Sequence, residues 1–201
     1  VVETAFRLAG RRKGRPRDGR RIVSCIDKAN VLKSYAFFRS VFDDIARRHP
    51  DVASEHIYVD AMTAYQVLDP SRFDVVVAEN MFGDIISDLS SATVGGLGLA
   101  PSADVGDEHG LFQSAHGTAP DIAGRNIANP IATILSAAMM LDWLGERKGD
   151  DAAARGGGVI REAVDEVLDQ GAVRTRDIGG RSTTTAVGDA VAAAARRIAA
   201  V

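Results

Sequence analysis

The chain has 201 residues, 46% apolar and 25% charged, with a formal net charge of −3. That mixture can bury a core in one or two domains, which excludes a chain disordered throughout, and its near-neutral balance gives no reason to expect nucleic acid as a partner. The single cysteine, Cys25, excludes an intrachain disulfide framework and a multi-cysteine zinc site. The apolar run Ile131 to Leu141, with Thr133 and Ser136 inside it, is too short to span a bilayer. Val1-Val2-Glu3 has no basic segment leading an apolar stretch, so no secretory signal is read and no membrane partner is expected. The missing initiator Met reads as a processed or partial chain.

In chain order, the first feature is a basic run between an expected helix and an expected strand. From Arg11 to Arg21 there are seven bases against one acid, Asp18, interrupted by Gly14, Pro16 and Gly19. Such a run suits either a phosphate or nucleic-acid patch or a solvated loop, and the lack of aromatics interleaved for base stacking favours the loop. Arg21 to Ile26 reads as a strand, with Cys25 a small core residue rather than a nucleophile. Tyr35, Phe38, Val41, Phe42 and Ile45 recur at helical spacing, and Pro50 helps to stop that helix. His56 to Val59 reads as a second strand ending at Asp60, and Met62 to Leu68 as a short helix. Phe73 to Ala78, with its adjacent valines, suits a parallel strand covered on both faces. A helix is expected from about Gly83 to Thr93, and then a loop-rich stretch from Gly95 to about Asn129. Asn129-Pro130 looks like an N-cap followed by Pro at the first helical position. Gly156-Gly157-Gly158 is expected to separate that helix from another over Val159–Asp169, before a last helix over Thr183–Ala200. Strands alternating with helices predict an α/β architecture.

Ligands of open α/β sheets bind at the carboxyl ends of strands. Three expected strands end there in polar residues: Asp27-Lys28, Asp60, and Glu79-Asn80 leading to Asp84. Asp84 and Asp88 lie four apart, on one helix face. Three convergent aspartates suit a hard cation such as Mg²⁺ or Mn²⁺, whereas acids near helix starts also sit well on the helix dipole without any metal. The phosphate-cradling patterns GxxxxGK(S/T) and GxGxxG are both missing. His116 to Gly124 is a stiff, turn-prone loop, structural or cofactor-binding.

Five segments occur in order: Asp27 to Leu32, Tyr58 to Met62, Glu79 to Asp88, His116 to Gly124, and Ile127 to Thr133. Together they resemble the isocitrate/isopropylmalate dehydrogenase family, the metal-dependent β-decarboxylating dehydrogenases, over essentially the whole chain. The resemblance implies the C-terminal part of a two-lobed α/β fold of the isopropylmalate dehydrogenase type, with a parallel or mixed sheet and flanking helices. Residues 1–94 then correspond to the later part of an inner, dimer-forming domain that binds substrate and metal. Residues 95–201 correspond to the C-terminal part of the NAD-binding domain.

By the same resemblance Lys28 is the catalytic lysine, and Asp60 is a catalytic residue as well. Asp60, Asp84 and Asp88 are the Mg²⁺ or Mn²⁺ carboxylates. His116, Gly117, Ala119, Asp121 and Asn129 form the cofactor loop. Family members are homodimers in which Lys28 and Asp60 serve the neighbouring subunit's site. Asp121 stands where the family meets the adenosine ribose; it can accept from the ribose hydroxyls and repels a 2′-phosphate, which implies NAD. The implied reaction is oxidative decarboxylation of a 2-hydroxy acid in the cytoplasm. 3-Isopropylmalate of leucine biosynthesis comes first, ahead of tartrate or D-malate, isocitrate and homoisocitrate. In the family a further N-terminal portion reads the substrate and carries a catalytic tyrosine, so this chain alone is expected to form an incomplete site. The alternative of another class is a non-catalytic regulatory subunit or an inactive fragment of the family; the regulatory subunit is disfavoured because Lys28 and all three aspartates are present.

Overall fold

Strand β1 (Ile22–Asp27) is buried at every position. It is the middle strand of a three-stranded parallel sheet, between β2 (Ala53–Tyr58) and β3 (Val75–Ala78). The computed structural model describes residues 1–200. It divides between Thr93 and Val94 into two units, each with its own core.

In the first unit, side chains alternate across β1. Val23 and Cys25 join Phe6 and Ala9 of α1 (Val2–Arg11) and Phe42 of α2 (Lys33–Ala46). Ile26 points to the other face, with Ile57, with Met62 of α3 (Val59–Leu68) and with Ile86 of α4 (Asn80–Thr93). A strand covered on both faces needs apolar residues at consecutive positions, which is why β1 reads as a continuous run. Phe6 and Phe42 meet at 5.4 Å between ring centroids and are essentially unexposed. Each such burial contributes roughly 1.5–3 kcal/mol.

Two boundaries differ from the sequence expectation. Strand β2 stops at Tyr58, so Asp60 stands in the first turn of α3 rather than at a strand end. An acid there faces the free N–H groups of the helix start. Helix α4 begins at Asn80 because Glu79 caps it: the carboxylate accepts from the N–H of Met81 at 3.1 Å and of Phe82 at 2.9 Å. Its other donor is the Tyr35 hydroxyl, at 2.7 Å. Burial opposes the Glu79 charge, but these hydrogen bonds outweigh it and hold the carboxyl below its ordinary pKa.

The basic run folds as an ordered loop. Arg15 pairs with Asp18 at 2.6 Å, Arg12 with Asp74 at 2.7 Å and Arg17 with Asp69 at 3.6 Å. Gly14, at φ +84°, lets the loop close on itself; a Cβ there would lie 2.2 Å from the Gly19 carbonyl oxygen.

The second unit packs three helices: α5 (Ile131–Lys148), α6 (Asp151–Gln170) and α7 (Thr184–Ala199). Ile131, Ala163, Val164, Val167, Val187 and Val191 form its core. The stretch expected to be loop-rich contains an antiparallel hairpin, β4 (Pro101–Val105) with β5 (Gly110–Ser114). Tertiary contacts hold it: Phe112 lies 5.9 Å from Trp143 of α5, and the Ser136 hydroxyl donates to the Gln113 carbonyl at 2.6 Å. Among the described residues no helix is long and apolar enough to cross a membrane.

Gly156-Gly157-Gly158 does not separate two helices. Helix α6 runs through it and starts instead at Asp151, capped by Asp150, whose carboxylate accepts from the N–H of Ala152 and Ala153 at 2.9 and 3.1 Å. The middle glycine serves helix–helix contact. A Cβ on Gly157 would lie 2.4 Å from Asp142 Oδ1 and 2.9 Å from the Ala138 carbonyl oxygen, both on α5. Gly158 meets nothing within 4 Å.

Neighbouring substitutions should therefore have opposite signs. Gly158→Ala removes only the entropic cost of glycine in a helix and should stabilise by up to about 1 kcal/mol. Gly157→Ala should destabilise by about 1–3 kcal/mol through overpacking. Urea titration of both variants followed by circular dichroism checks the signs; a stabilising Gly157→Ala would refute the close-packing role.

Candidate functional site

The carboxyl end of β1 carries the first group of residues. Asp27 is completely buried and accepts both Nε and Nη2 of Arg39, each at 2.8 Å. Its Oδ1 also accepts the Ala29 N–H at 2.9 Å. The turn holding Lys28 is thus pinned on both sides. Lys28 Nζ lies 2.7 Å from Asp60 Oδ1, with the lysine side chain 24% exposed and the aspartate 68%. That hydrogen bond is the main reason the Asp60 carboxyl sits below its ordinary pKa. The Tyr58 ring lies beside both cations, 5.6 Å from Lys28 Nζ and 5.3 Å from Arg39 Cζ.

Sequence reasoning named both Lys28 and Asp60 as catalytic, and the structure brings these two together. Asp84 and Asp88 are both exposed, one turn apart on α4. Among the described residues no three His, Cys, Asp or Glu side chains gather to hold a metal ion. Within one chain, then, Asp60 does not join Asp84 and Asp88 in a three-carboxylate cluster.

The second group lies in the second unit. A cleft of about 640 Å³ is walled by His116, Gly117, Ala119, Ile122, Ile127, Ala128 and Asn129. Ala119 adopts the left-handed region at φ 41° and leads into the 3-10 turn Pro120–Ile122. His116 Nδ1 lies 2.9 Å from the Gly117 carbonyl oxygen. Asn129 is buried and works in two directions. Its Oδ1 accepts the Ile131 N–H at 3.0 Å, which caps α5 one residue ahead of the assigned N-cap, Pro130; its Nδ2 donates to Asp177 Oδ2 at 2.9 Å. Asp121 sits exposed on the 3-10 turn and is not among the lining residues, unlike the other expected cofactor residues.

Four lining residues escaped sequence reasoning: Gly98, Arg125, Arg176 and Asp177. Gly98 looks like part of a glycine-rich break, yet a Cβ there would lie 2.5 Å from Asp177 Oδ2 and 3.0 Å from Asn129 Cβ. Arg176 and Asp177 begin the 3-10 turn between α6 and α7, far along the chain from His116. No local pattern links them to the His116 loop. Arg125 was within reach, since it directly follows that loop.

These positions can be set against known proteins. The family model described as isocitrate/isopropylmalate dehydrogenase matches residues 1–191. A 3-isopropylmalate/3-methylmalate dehydrogenase of Methanocaldococcus jannaschii is 48% identical over 193 residues, covering 96% of this chain and 55% of its own. An isocitrate/homoisocitrate dehydrogenase of Thermus thermophilus is 47% identical over 199 residues, covering 98% of this chain and 55% of its own. The crystal structure of an isocitrate dehydrogenase from Methylococcus capsulatus superposes with a TM-score of 0.83 at 39% identity, over 97% of this chain and 55% of that one. The chain spans about half the length of the curated relatives it matches. With the match running through both units and both groups of residues, the chain belongs to the isocitrate/isopropylmalate dehydrogenase family.

Proposed function

We propose that the chain carries part of the active site of a metal- and NAD-dependent dehydrogenase. The enzyme oxidises a 2-hydroxy acid and releases its β-carboxylate as carbon dioxide, with 3-isopropylmalate of leucine biosynthesis as the first substrate, in the cytoplasm. The observation that carries this reading is the Lys28–Asp60 pair at the carboxyl end of β1. A lysine on a pinned turn, held to an open carboxylate, suits proton transfer at a substrate hydroxyl. Relatives of nearly equal identity bear isopropylmalate and isocitrate/homoisocitrate names, which supports an acid of this class.

In the proposed mechanism Lys28 Nζ, as the neutral amine, takes the proton of the substrate hydroxyl, and Asp60 pairs with the ammonium so formed. A bound NAD would accept the carbinol hydride. Asp84 and Asp88 of one subunit, with Asp60 of a second, supply hard oxygen donors of the kind Mg²⁺ or Mn²⁺ takes. No ion pair takes up Asp84 or Asp88 among the described residues, and Asp60 is open enough to face another molecule. A bound divalent cation would stabilise negative charge on the substrate oxygens. The homodimer belongs to this proposal, because one chain does not gather the carboxylates.

The cleft of the second unit suits NAD. Ile122 and Ile127 give apolar walls, His116, Gly117 and Asn129 give polar edges, and Arg125 and Arg176 give positive charge for phosphates. Asp121, on the adjoining turn, supplies the carboxylate that favours ribose hydroxyls over a 2′-phosphate.

Three measurements on the complete enzyme test this. Lys28→Met should lower kcat by about 10²–10⁴ with an unchanged circular dichroism spectrum; a variant within twofold of wild type removes Lys28 from proton transfer. Asp121→Lys with Ile122→Tyr should shift kcat/KM toward NADP. A wild-type preference for NADP would overturn the role of Asp121. Asp84→Asn should raise the Mg²⁺ concentration giving half-maximal rate by about 10-fold or more, in the range seen when metal-site groups are lost, and an unchanged Mg²⁺ titration would exclude Asp84 from the metal.

A further inference from the structure

Two cations approach the same aromatic ring in the first unit. Lys28 Nζ lies 5.6 Å from the centroid of Tyr58, and Arg39 Cζ lies 5.3 Å from it. Like charges so placed repel unless each has its own anion, and each does. Arg39 forks onto Asp27 with two bonds of 2.8 Å, and Lys28 meets Asp60 at 2.7 Å. The ring's negative face adds attraction for both.

The rigidity of the two cations differs. Asp27 is fully buried, so its fork with Arg39 cannot be exchanged for water without leaving a buried charge unpaired. Arg39 is therefore fixed from below. Lys28 has four rotatable side-chain bonds, and its ionic partner among the described residues, Asp60, is 68% exposed. An exposed ion pair alone holds such a chain weakly. What remains to fix the ammonium is the Tyr58 ring. That ring stands on the last residue of β2, paired in register with Asp27.

We propose that Tyr58, anchored by the Asp27–Arg39 pair, is a positioning residue for Lys28. The aromatic face of Tyr58 selects the rotamer that presents Nζ beside Asp60. The inference rests on Lys28 acting in proton transfer, as proposed above. The aromatic face does the work, so Phe should replace Tyr and an aliphatic side chain should not.

The test uses the complete enzyme at one fixed pH. Tyr58→Leu should lower kcat by about three- to tenfold, the scale of one partly exposed cation–aromatic contact, with KM for substrate and NAD within twofold. Tyr58→Phe should restore kcat. A second readout does not need activity. The Lys28 ε-methylene protons should show an upfield ring-current shift in wild type and in Tyr58→Phe, lost in Tyr58→Leu. If wild type shows no such shift, Tyr58 does not hold Lys28 and the inference fails, whether or not the leucine variant folds. If the shift is lost in Tyr58→Leu while kcat stays at the wild-type value, the contact exists without a positioning role, and the inference is again overturned. Lys28→Met, run alongside, separates the two levels. Full turnover in that variant sinks the role of Lys28 itself, and the positioning role with it, while the shift still reports the contact.

Discussion

A carboxylate with no solvent exposure ends the central strand of the first unit, and the Arg39 fork makes that tolerable. Removing one member of such a pair leaves an uncompensated buried charge, at a cost of about 3–5 kcal/mol. Asp27 also accepts the Ala29 N–H, so the same carboxylate sets the backbone around Lys28. Arg39 comes from α2 and Asp27 from β1, so the pair ties helix to strand at the edge that carries Lys28. Position along β1 thus separates two jobs. Val23 and Cys25 fill the core, and two residues later the strand delivers charge.

The second unit solves a comparable problem without a buried charge pair. Asn129 is neutral, so its burial needs only that both ends of its amide be satisfied. One end caps α5 and the other meets Asp177 from the segment between α6 and α7. Gly98 lies against both side chains and leaves no room for a larger residue. Three segments remote in sequence thereby meet around one amide, at the wall of the cleft.

Much of this was legible in the sequence, because local chemistry set it. The apolar run of β1, the spacing of Tyr35, Phe38 and Phe42, and the Asn129-Pro130 start of α5 carry their structure in adjacent residues. The catalytic roles expected of Lys28 and Asp60 came from family motifs rather than from spacing, and their direct contact appears only in the structure. What sequence missed was decided by contacts at a distance. The hairpin Pro101–Ser114 contains Ser102, Asp104, Gly110 and Gln113, poor strand signals, and is held by Trp143 and Ser136 of α5. The three glycines of α6 look like a break locally, yet the helix runs through them, and Gly157 is required by the approach of α5. Asp177 gave no sign of its partner because that partner is forty-eight positions away.

Cys25 carries a consequence of a different kind. It is the chain's only cysteine, fully buried at the centre of β1. Burial pushes its thiol pKa to about 12, and the nearby Asp27 charge adds to the effect. In the closed state the sulfur is neither accessible nor a thiolate, so an alkylating reagent can react only through an opening of the sheet. The chain therefore contains its own chemical clock. The rate at which a thiol reagent consumes Cys25, under conditions where reclosing outpaces labelling, measures the equilibrium for opening around β1. No label or engineered probe is needed to read the stability of the strand that carries Asp27 and leads into Lys28.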